Sequence, residues 1–175
     1  MASVPLSDQE ARNIETFRKV VELGFSQGKL DSLDSLFTRD FQEHQDGMNP
    51  PNREGVKKAI AQLRTSFPDL KLEIADFIIK GDKGWFRLKG QGTHLGQFGP
   101  MPATNRKVVV DVIDICRFEN GLIAEHWGIP DRFSVMRQIG LPQPPRWLFR
   151  LLSRRQGTDL GTNLPYSSVH NVIDT

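Results

Sequence analysis

Three carboxylates, Asp114, Glu125 and Asp131, fall on one face of a predicted β-hairpin and are the first sign of chemistry in this sequence. Asn120-Gly121 suits a two-residue turn, and alternate residues on each side of such a turn share a face. Trp127 shares this face. Because burying an unpaired carboxylate is costly, a face built only for packing would avoid these residues. A carboxyl in apolar surroundings can act as both acid and base, so we expect this face to line a pocket.

The hairpin also fixes a predicted register. Counting outward from the turn, the pairs are Glu119 with Leu122, Phe118 with Ile123, Cys116 with Glu125 and Asp114 with Trp127. The pocket face is then Asp114, Cys116, Phe118, Ile123, Glu125, Trp127, Ile129 and Asp131. The opposite face, with Ile113, Ile115, Arg117 and His126, is predicted to be an outer surface or a subunit interface. A slip of one residue would reverse this assignment.

The second candidate is His94, in the glycine-rich stretch GQGTHLGQFG at residues 90–99. The stretch lacks the P-loop spacing, and no strand–helix–strand unit surrounds it, so a phosphate or dinucleotide site is not expected. The glycines instead suit a strand that bends sharply into a loop. His94 then lies near the pocket mouth. There it either hydrogen-bonds a substrate or moves a proton, or it holds the loop through a backbone hydrogen bond.

Hydrophobic spacing predicts three helices that come before the strands. Ser7 and Glu10 form a capping box at the start of the first helix, and Gly28 ends it. The third helix stops at Pro68. The apolar faces are Ile14, Phe17, Val21 and Phe25 in the first helix, Leu30, Leu33, Leu36 and Phe37 in the second, and Val56, Ile60, Leu63 and Phe67 in the third.

After the helices, the apolar residues alternate as they do in β-strands. The strands are predicted within 70–79, 85–96, 107–118 and 122–131. In the first of them the alternation changes parity after Ala75, which predicts a β-bulge. Because no helix separates the strands, the sheet is antiparallel and the fold class is α+β. Helices that close one face of a bent sheet leave a pocket between the two layers.

The strand at 107–118 is apolar on both faces. Such a strand needs a covering on each side, and the helices supply one. We therefore expect a homodimer, or a higher homo-oligomer, that covers the outer sheet face.

These segments resemble a known family. The stretches FPDLKLEI, FRLKGQGTHLGQFGPMPATNRKV and ICRFENGLIAEHWGIPDRFSVMRQIG, within about residues 10–140, are similar to the SnoaL-like polyketide cyclases. That family belongs to the superfamily of nuclear transport factor 2 and ketosteroid isomerase. The resemblance implies a cone-shaped α+β fold, in which three N-terminal helices pack on a curved antiparallel sheet and enclose one deep apolar pocket.

The resemblance also implies chemistry. Family cyclases use an aspartate as acid and base in an intramolecular aldol ring closure, without cofactor or metal, and the matching residue here is Asp131. Trp127 would supply apolar surroundings and a stacking surface for a polycyclic substrate. The alternative is that Asp131 caps the helix that follows it. Some family cyclases place a histidine on the preceding strand, but strand 107–118 has none, and Asp114 is its pocket-facing polar group.

The resemblance assigns further residues to the site. His44 follows the second helix, where this fold directs residues into the pocket, and it is a third catalytic candidate or else an exposed histidine. Arg87 matches a family arginine and pairs with Glu125 or Asp114, or it binds substrate. Phe67 joins Trp127, Arg87, Asp114 and Glu125 as a substrate-binding residue. Four histidines without HxH or HExxH spacing predict no metal site.

Two functions remain open at this point. The first is a cofactor-independent cyclase or isomerase acting on a polyketide- or terpenoid-like molecule, which the carboxylates and histidines favour. The second is a non-catalytic domain that binds small molecules or proteins, which the basic C-terminal segment favours.

Composition limits the partners and the compartment. The formal net charge of +2 gives no argument for nucleic acid, and the single cysteine excludes an internal disulfide. No apolar run reaches the roughly 18 residues of a membrane span, and the first residues lack a signal-peptide core. We therefore expect a cytoplasmic protein with a hydrophobic small-molecule substrate.

The predicted domain covers residues 1–140, and the segment 141–175 lies outside the resemblance. Residues 146–155 combine four arginines with apolar residues in a basic amphipathic pattern. Such a segment either packs on its own domain or a partner subunit, which we favour, or contacts an anionic membrane surface.

Overall fold

A computed structural model describes residues 5–141, which form helices packed against one face of a five-stranded sheet. The elements, in chain order, are α1 (Asp8–Lys19) with a π-helical continuation (Val20–Ser26), a 3₁₀ helix (Leu30–Leu36), β1 (Phe37–Glu43), α2 (Arg53–Ser66), β2 (Lys71–Lys80), β3 (Lys83–Thr93), β4 (Lys107–Glu119), β5 (Leu122–Pro130) and α3 (Arg132–Ile139). The α+β class is confirmed. The predicted amphipathic segment at 146–155 lies outside the described residues.

Local capping and amphipathic spacing explain the helices. The Ser7 hydroxyl accepts a hydrogen bond from the backbone N–H of Glu10, and the Glu10 carboxylate accepts one from the N–H of Ser7, so the predicted capping box is confirmed. Asn52 caps α2 in a similar way. The apolar faces meet the sheet, where the ring of Phe17 stacks on Phe86 with 3.8 Å between the ring centres. Within residues 5–141, no helix is long and apolar enough to span a bilayer.

The sheet contains the four predicted strands and one that the sequence did not indicate. Its order is β1-β5-β4-β3-β2; β1 runs parallel to β5, and the other neighbours are antiparallel. The sequence of β1, FTRDFQE, does not alternate strictly, because Arg39 stands between the two phenylalanines, and its pairing with β5 is irregular between Phe37 and Gln42. Its buried face also ends in a charged residue, Glu43, where a strand pattern calls for an apolar one.

The predicted bulge in β2 and the predicted Asn120-Gly121 turn are both confirmed. The register of β2 against β3 shifts between Ile74 and Asp76, which places the bulge at Ala75. Asn120 and Gly121 have φ angles of 51° and 83°, and Glu119 pairs with Leu122 across the turn.

A further bulge makes the rest of the predicted hairpin register wrong. Phe118 pairs with Ile123, as predicted, but Arg117 pairs with Glu125, so Ala124 is an extra residue in β5. Both Ile123 and Ala124 are buried. Beyond the bulge the two faces of β5 exchange. The observed pairs are Cys116 with His126, Ile115 with Trp127, Asp114 with Gly128 and Ile113 with Ile129.

The outer face of the sheet carries an apolar stripe. Ile78, Trp85, Ile115 and Trp127 are successive cross-strand partners on β2, β3, β4 and β5. Ile78 is 70% exposed and Trp85 41% exposed. Positively and negatively charged side chains flank the stripe and form ion pairs, among them Arg87–Asp111 and Arg117–Glu125. A surface with a central apolar stripe and mixed charges at its edges can be its own complement under two-fold symmetry.

We propose that a second copy of the chain covers this stripe, in line with the homodimer expected from the sequence. Trp85→Glu would place a charge in the centre of the interface, and the dimer should then dissociate at micromolar concentration. The matched control, Lys58→Glu, changes an exposed residue of α2 and should leave the dimer intact. Sedimentation velocity distinguishes the two states. A parent protein that sediments as a monomer at micromolar concentration would contradict the proposal.

Candidate active site

A cavity of about 810 Å³ lies between the concave face of the sheet and the helices. Its walls are mainly apolar and come from α2, α3, the inner residues of β3 and β4, and the loop between those strands; they include Ile60, Leu63, Phe67, Phe98, Val110 and Val135. A cavity of this volume accommodates a multi-ring small molecule.

One end of the cavity is polar. Glu43 at the end of β1, Asp114 on β4 and His126 on β5 all line it, together with Gln45. The Nδ1 atom of His126 lies 2.8 Å from Glu43 Oε2, and its Nε2 atom lies 3.4 Å from Asp114 Oδ1. The imidazole therefore bridges two carboxylates that come from different strands. The Ala124 bulge is what turns His126 inward to this position.

Burial and charge together determine the protonation of His126. The side chains of Glu43, Asp114 and His126 are 1%, 9% and 18% exposed. Burial alone would lower the pKa of His126, but the charges and hydrogen bonds of Asp114 and Glu43 outweigh this effect and raise the pKa to about 10. His126 is therefore an imidazolium at neutral pH, and its positive charge offsets the carboxylates.

The three side chains do not form a chelating group. Glu43 and Asp114 lie at opposite nitrogens of the imidazole ring, so the oxygen and nitrogen atoms do not converge on one point. Among the described residues no cluster of three histidine, cysteine, aspartate or glutamate side chains has the arrangement of a metal site.

Two of the residues that the sequence assigned to the site line the cavity. Asp114 lies at its polar end and Phe67 in its apolar wall. Because Trp127 and Glu125 are on the other side of the Ala124 bulge, their predicted position in the pocket is wrong. Both lie on the outer sheet face. The prediction that His126 faces outward is wrong for the same reason.

His44 and Arg87 also lie on the outer face. The His44 ring stacks on Trp127, with 4.5 Å between ring centres, and its Nε2 atom is 2.9 Å from Glu125 Oε2. Glu125 is further paired with Arg117. The predicted partners of Arg87 are wrong, because its ion pair is with Asp111 at 3.7 Å. His44, Glu125 and Arg87 therefore make their contacts on the outer face of the sheet and do not line the cavity.

Asp131 occupies the capping position that the sequence left as an alternative. Its Oδ1 atom accepts a hydrogen bond of 2.8 Å from the backbone N–H of Ser134, at the start of α3. The residue is exposed. Within residues 5–141 the cavity wall includes its neighbours Pro130 and Arg132 but not Asp131 itself. The predicted direction of Asp131 into the pocket is therefore wrong.

His94 is fully buried and holds the loop between β3 and β4. Its Nδ1 atom is 3.0 Å from the Thr104 hydroxyl, and its carbonyl accepts hydrogen bonds from the N–H groups of Thr104 and Asn105. The ring packs against Phe67 and Phe98, which line the cavity. These contacts favour the loop-holding alternative over direct contact with a substrate.

The sequence reasoning missed Glu43, Gln45 and His126. One signal for Glu43 was available: it follows Phe37 and Phe41 at even spacing, so a strand there would bury it. No comparable signal marked His126, because its direction depends on the bulge at Ala124.

The described residues thus combine a five-stranded sheet, a cavity with mainly apolar walls and a buried cluster of two carboxylates and a histidine. Residues 15–139 match the family model of the SnoaL-like polyketide cyclases. The chain belongs to this family, as its sequence resemblance implied.

Curated relatives are polyketide cyclases. Aklanonic acid methyl ester cyclase DauD of Streptomyces sp. (strain C5) is 27% identical over 138 residues, which cover 75% of this chain and 83% of that protein. Nogalonic acid methyl ester cyclase of Streptomyces nogalater is 29% identical over 130 residues, which cover 69% and 92% of the two chains.

Solved structures share the fold. TsrD from Streptomyces laurentii has a TM-score of 0.67 and 27% identity over 79% of this chain and 100% of its own. A SnoaL-like polyketide cyclase from Agrobacterium tumefaciens has a TM-score of 0.61 and 19% identity, covering 73% and 98% of the two chains.

The raised pKa of His126 predicts a pH-dependent stability. A protonated group stabilises the folded state when its pKa is higher there than in the unfolded chain. For His126 this stabilisation is complete below the unfolded pKa of about 6.5, and it is lost as the pH rises toward 10. Between pH 6.5 and 8.5, the free energy of unfolding should fall by about 2 kcal/mol. Urea unfolding across this range measures the effect. Near pH 8.5 the thiol of Cys116, once exposed by unfolding, begins to ionise and adds a smaller loss of stability in the same direction, because burial raises the pKa of this thiol in the folded state.

The control for this measurement is Lys58→Gln, which changes an exposed residue of α2 and should keep the pH dependence of the parent. His126→Gln should be less stable at pH 6.5 and should lose most of the slope. A parent protein whose stability is constant from pH 6.5 to 8.5 would contradict the assignment of an imidazolium.

Proposed function

We propose that the protein is a cofactor-independent cyclase that closes a ring in a polyketide-like molecule, with Asp114 as the acid and base. The observation that supports this most is the position of Asp114, at the polar end of an apolar cavity and in contact with His126. A carboxylate in contact with a bound molecule, in a space with apolar walls, suits proton transfer to and from carbon.

The proposed reaction is an intramolecular aldol addition. Asp114 removes a proton from a carbon next to a carbonyl, and the electron pair of that C–H bond becomes an enolate. The enolate carbon forms a bond to a second carbonyl carbon of the same molecule, whose oxygen becomes an alkoxide. The protonated Asp114 then returns its proton to the alkoxide. The product is an isomer of the substrate, so the reaction needs no oxidant, reductant or carrier.

His126 and Glu43 serve as positioning residues. The imidazolium donates one N–H to Glu43 and directs the other toward Asp114. This arrangement fixes one oxygen of the Asp114 carboxylate and leaves the other for the substrate. Glu43 in turn fixes the ring of His126, in the way that a carboxylate orients the histidine in other acid–base sites.

The charges at the polar end restrict the substrate. The cluster of Glu43, Asp114 and His126 carries a formal charge of −1, which disfavours a substrate carboxylate beside Asp114. The named substrates of the curated relatives are methyl esters, in which the carboxyl carries no charge. We propose the same class here: a polycyclic polyketide with its carboxyl esterified, whose rings lie along the apolar wall that includes Phe67.

The experiment that tests this proposal compares substitutions at the two candidate aspartates. Asp114→Asn keeps the shape of the side chain but cannot take up a proton, so turnover should fall by about 10² to 10⁴. Asp131→Asn retains a helix cap and should keep near-parent turnover. Asp131→Ala should lose about 0.5–2 kcal/mol of stability with little change in turnover.

The assay incubates each protein with aklanonic and nogalonic acid methyl esters and separates the isomeric product by chromatography before mass spectrometry. Incubation in D₂O also measures exchange of the acidic carbon-bound hydrogen. Full activity in Asp114→Asn, with loss in Asp131→Asn, would return the catalytic role to Asp131. Tight binding of the esters by the parent without exchange or turnover would support the non-catalytic alternative.

A further inference from the structure

Gln45 is a second polar group at the reacting end of the cavity. It follows β1 directly, and its backbone N–H donates a hydrogen bond of 2.8 Å to Glu43 Oε1. This contact fixes the backbone of Gln45 beside the cluster of Glu43, His126 and Asp114. Its side chain lines the cavity, and within residues 5–141 its amide has no hydrogen-bond partner.

The chemistry at this end needs a donor that the cluster does not supply. When a carbon next to a carbonyl loses a proton, negative charge develops on the carbonyl oxygen. Ionised carboxylates only accept hydrogen bonds, and both N–H groups of His126 are directed at carboxylates. The NH₂ group of Gln45 is a donor beside Asp114 that makes no hydrogen bond within residues 5–141, whereas Arg132, which also lines the cavity, donates to the backbone carbonyl of Asp46.

Gly128 provides the space that the Gln45 amide occupies. A Cβ atom at residue 128 would overlap the amide oxygen Oε1 of Gln45, and it would lie 3.2 Å from Asp114 Oδ1 and 2.9 Å from His126 Cε1. Gln45 and Asp114 therefore face the same small volume above Gly128. The φ angle of Gly128 is not positive, so the glycine is needed here for close approach and not for backbone conformation.

We propose that the side-chain amide of Gln45 donates a hydrogen bond to the enolate oxygen of the substrate, and that Gly128 lacks a side chain so that this amide can reach it. A half-turn of the amide presents its NH₂ group when an anionic oxygen is bound. The inference rests on the proposed aldol chemistry, to which it adds a second residue that contacts the reacting atoms.

The test uses Gln45→Met, which keeps the length of the side chain and removes the donor. A donor to a developing oxyanion contributes about 10² to 10³ in rate, so kcat for ring closure should fall by about that factor with little change in KM. The matched control, Gln42→Met, changes an exposed residue of the same strand region, on the outer side of β1, and should keep the parent kcat.

A binding measurement supplies a readout that is independent of turnover. 2-Naphthol presents a phenolic oxygen that can mimic the enolate, whereas naphthalene has the same rings without the oxygen. The parent should bind 2-naphthol more tightly than naphthalene. In Gln45→Met the affinity for 2-naphthol should fall by about 3- to 10-fold, because a hydrogen bond to the phenolic oxygen is lost, and the affinity for naphthalene should not change.

Gly128→Ala provides a second and independent variant. The added methyl group would overlap the amide of Gln45 and would also crowd Cε1 of His126, so kcat should fall at least as far as it does in Gln45→Met. In a Gln45→Ala background the part of this loss that comes from displacing the amide should disappear, and the part that comes from crowding His126 should remain.

The outcomes separate this inference from the proposed function. If Asp114→Asn retains full turnover, the proposed function is wrong, and the naphthol pair still decides whether Gln45 is a donor. If Asp114→Asn is inactive but Gln45→Met keeps both the parent kcat and the parent affinity for 2-naphthol, the inference about Gln45 alone is wrong. A parent that binds 2-naphthol no better than naphthalene would also overturn it.

Discussion

The imidazolium of His126 between Glu43 and Asp114 is the interaction on which the candidate site depends. Two carboxylates at the end of an apolar cavity would repel each other and would each be costly to bury. The cation between them compensates for both effects, and its contacts with Glu43 and Asp114 connect β1, β4 and β5. Removing the cation would leave two buried charges without a partner, which is far more destabilising than losing a surface ion pair. The same contact therefore supports the fold and orients Asp114.

Much of the fold could be predicted from the sequence, because the signals were local. The capping box at Ser7, the Asn120-Gly121 turn and the bulge at Ala75 each follow from a few neighbouring residues, and the structure confirms all three. The bulge at Ala124 was invisible, since Ile123 and Ala124 are both apolar and the alternation after them can be read in either register. One extra residue exchanged the two faces of β5. For that reason the prediction directed Trp127 and Glu125 into the pocket and His126 out of it.

The family resemblance predicted the architecture more reliably than the residues of the site. The architecture follows from spacing along the whole chain, whereas a site residue depends on a single side-chain direction. Asp131 shows the difference: it follows the HWGIP stretch in sequence, yet its carboxylate is committed to the first turn of α3. Asp114 was also predicted to face the pocket, and it does so because the register of β4 against β3 contains no irregularity.

The parallel pairing of β1 with β5 has a consequence for how the site forms. Glu43 and His126 are 83 residues apart in the sequence, and among the described strands β1 has no neighbour other than β5. We expect a parallel edge strand of this kind to join the sheet late, since contacts so distant in sequence require the closure of a long loop. Partly folded chains can already contain the β2–β3–β4–β5 meander and its apolar core. They would still lack Glu43 at the end of the cavity, so the proposed acid–base chemistry would begin only once the last strand has joined the sheet.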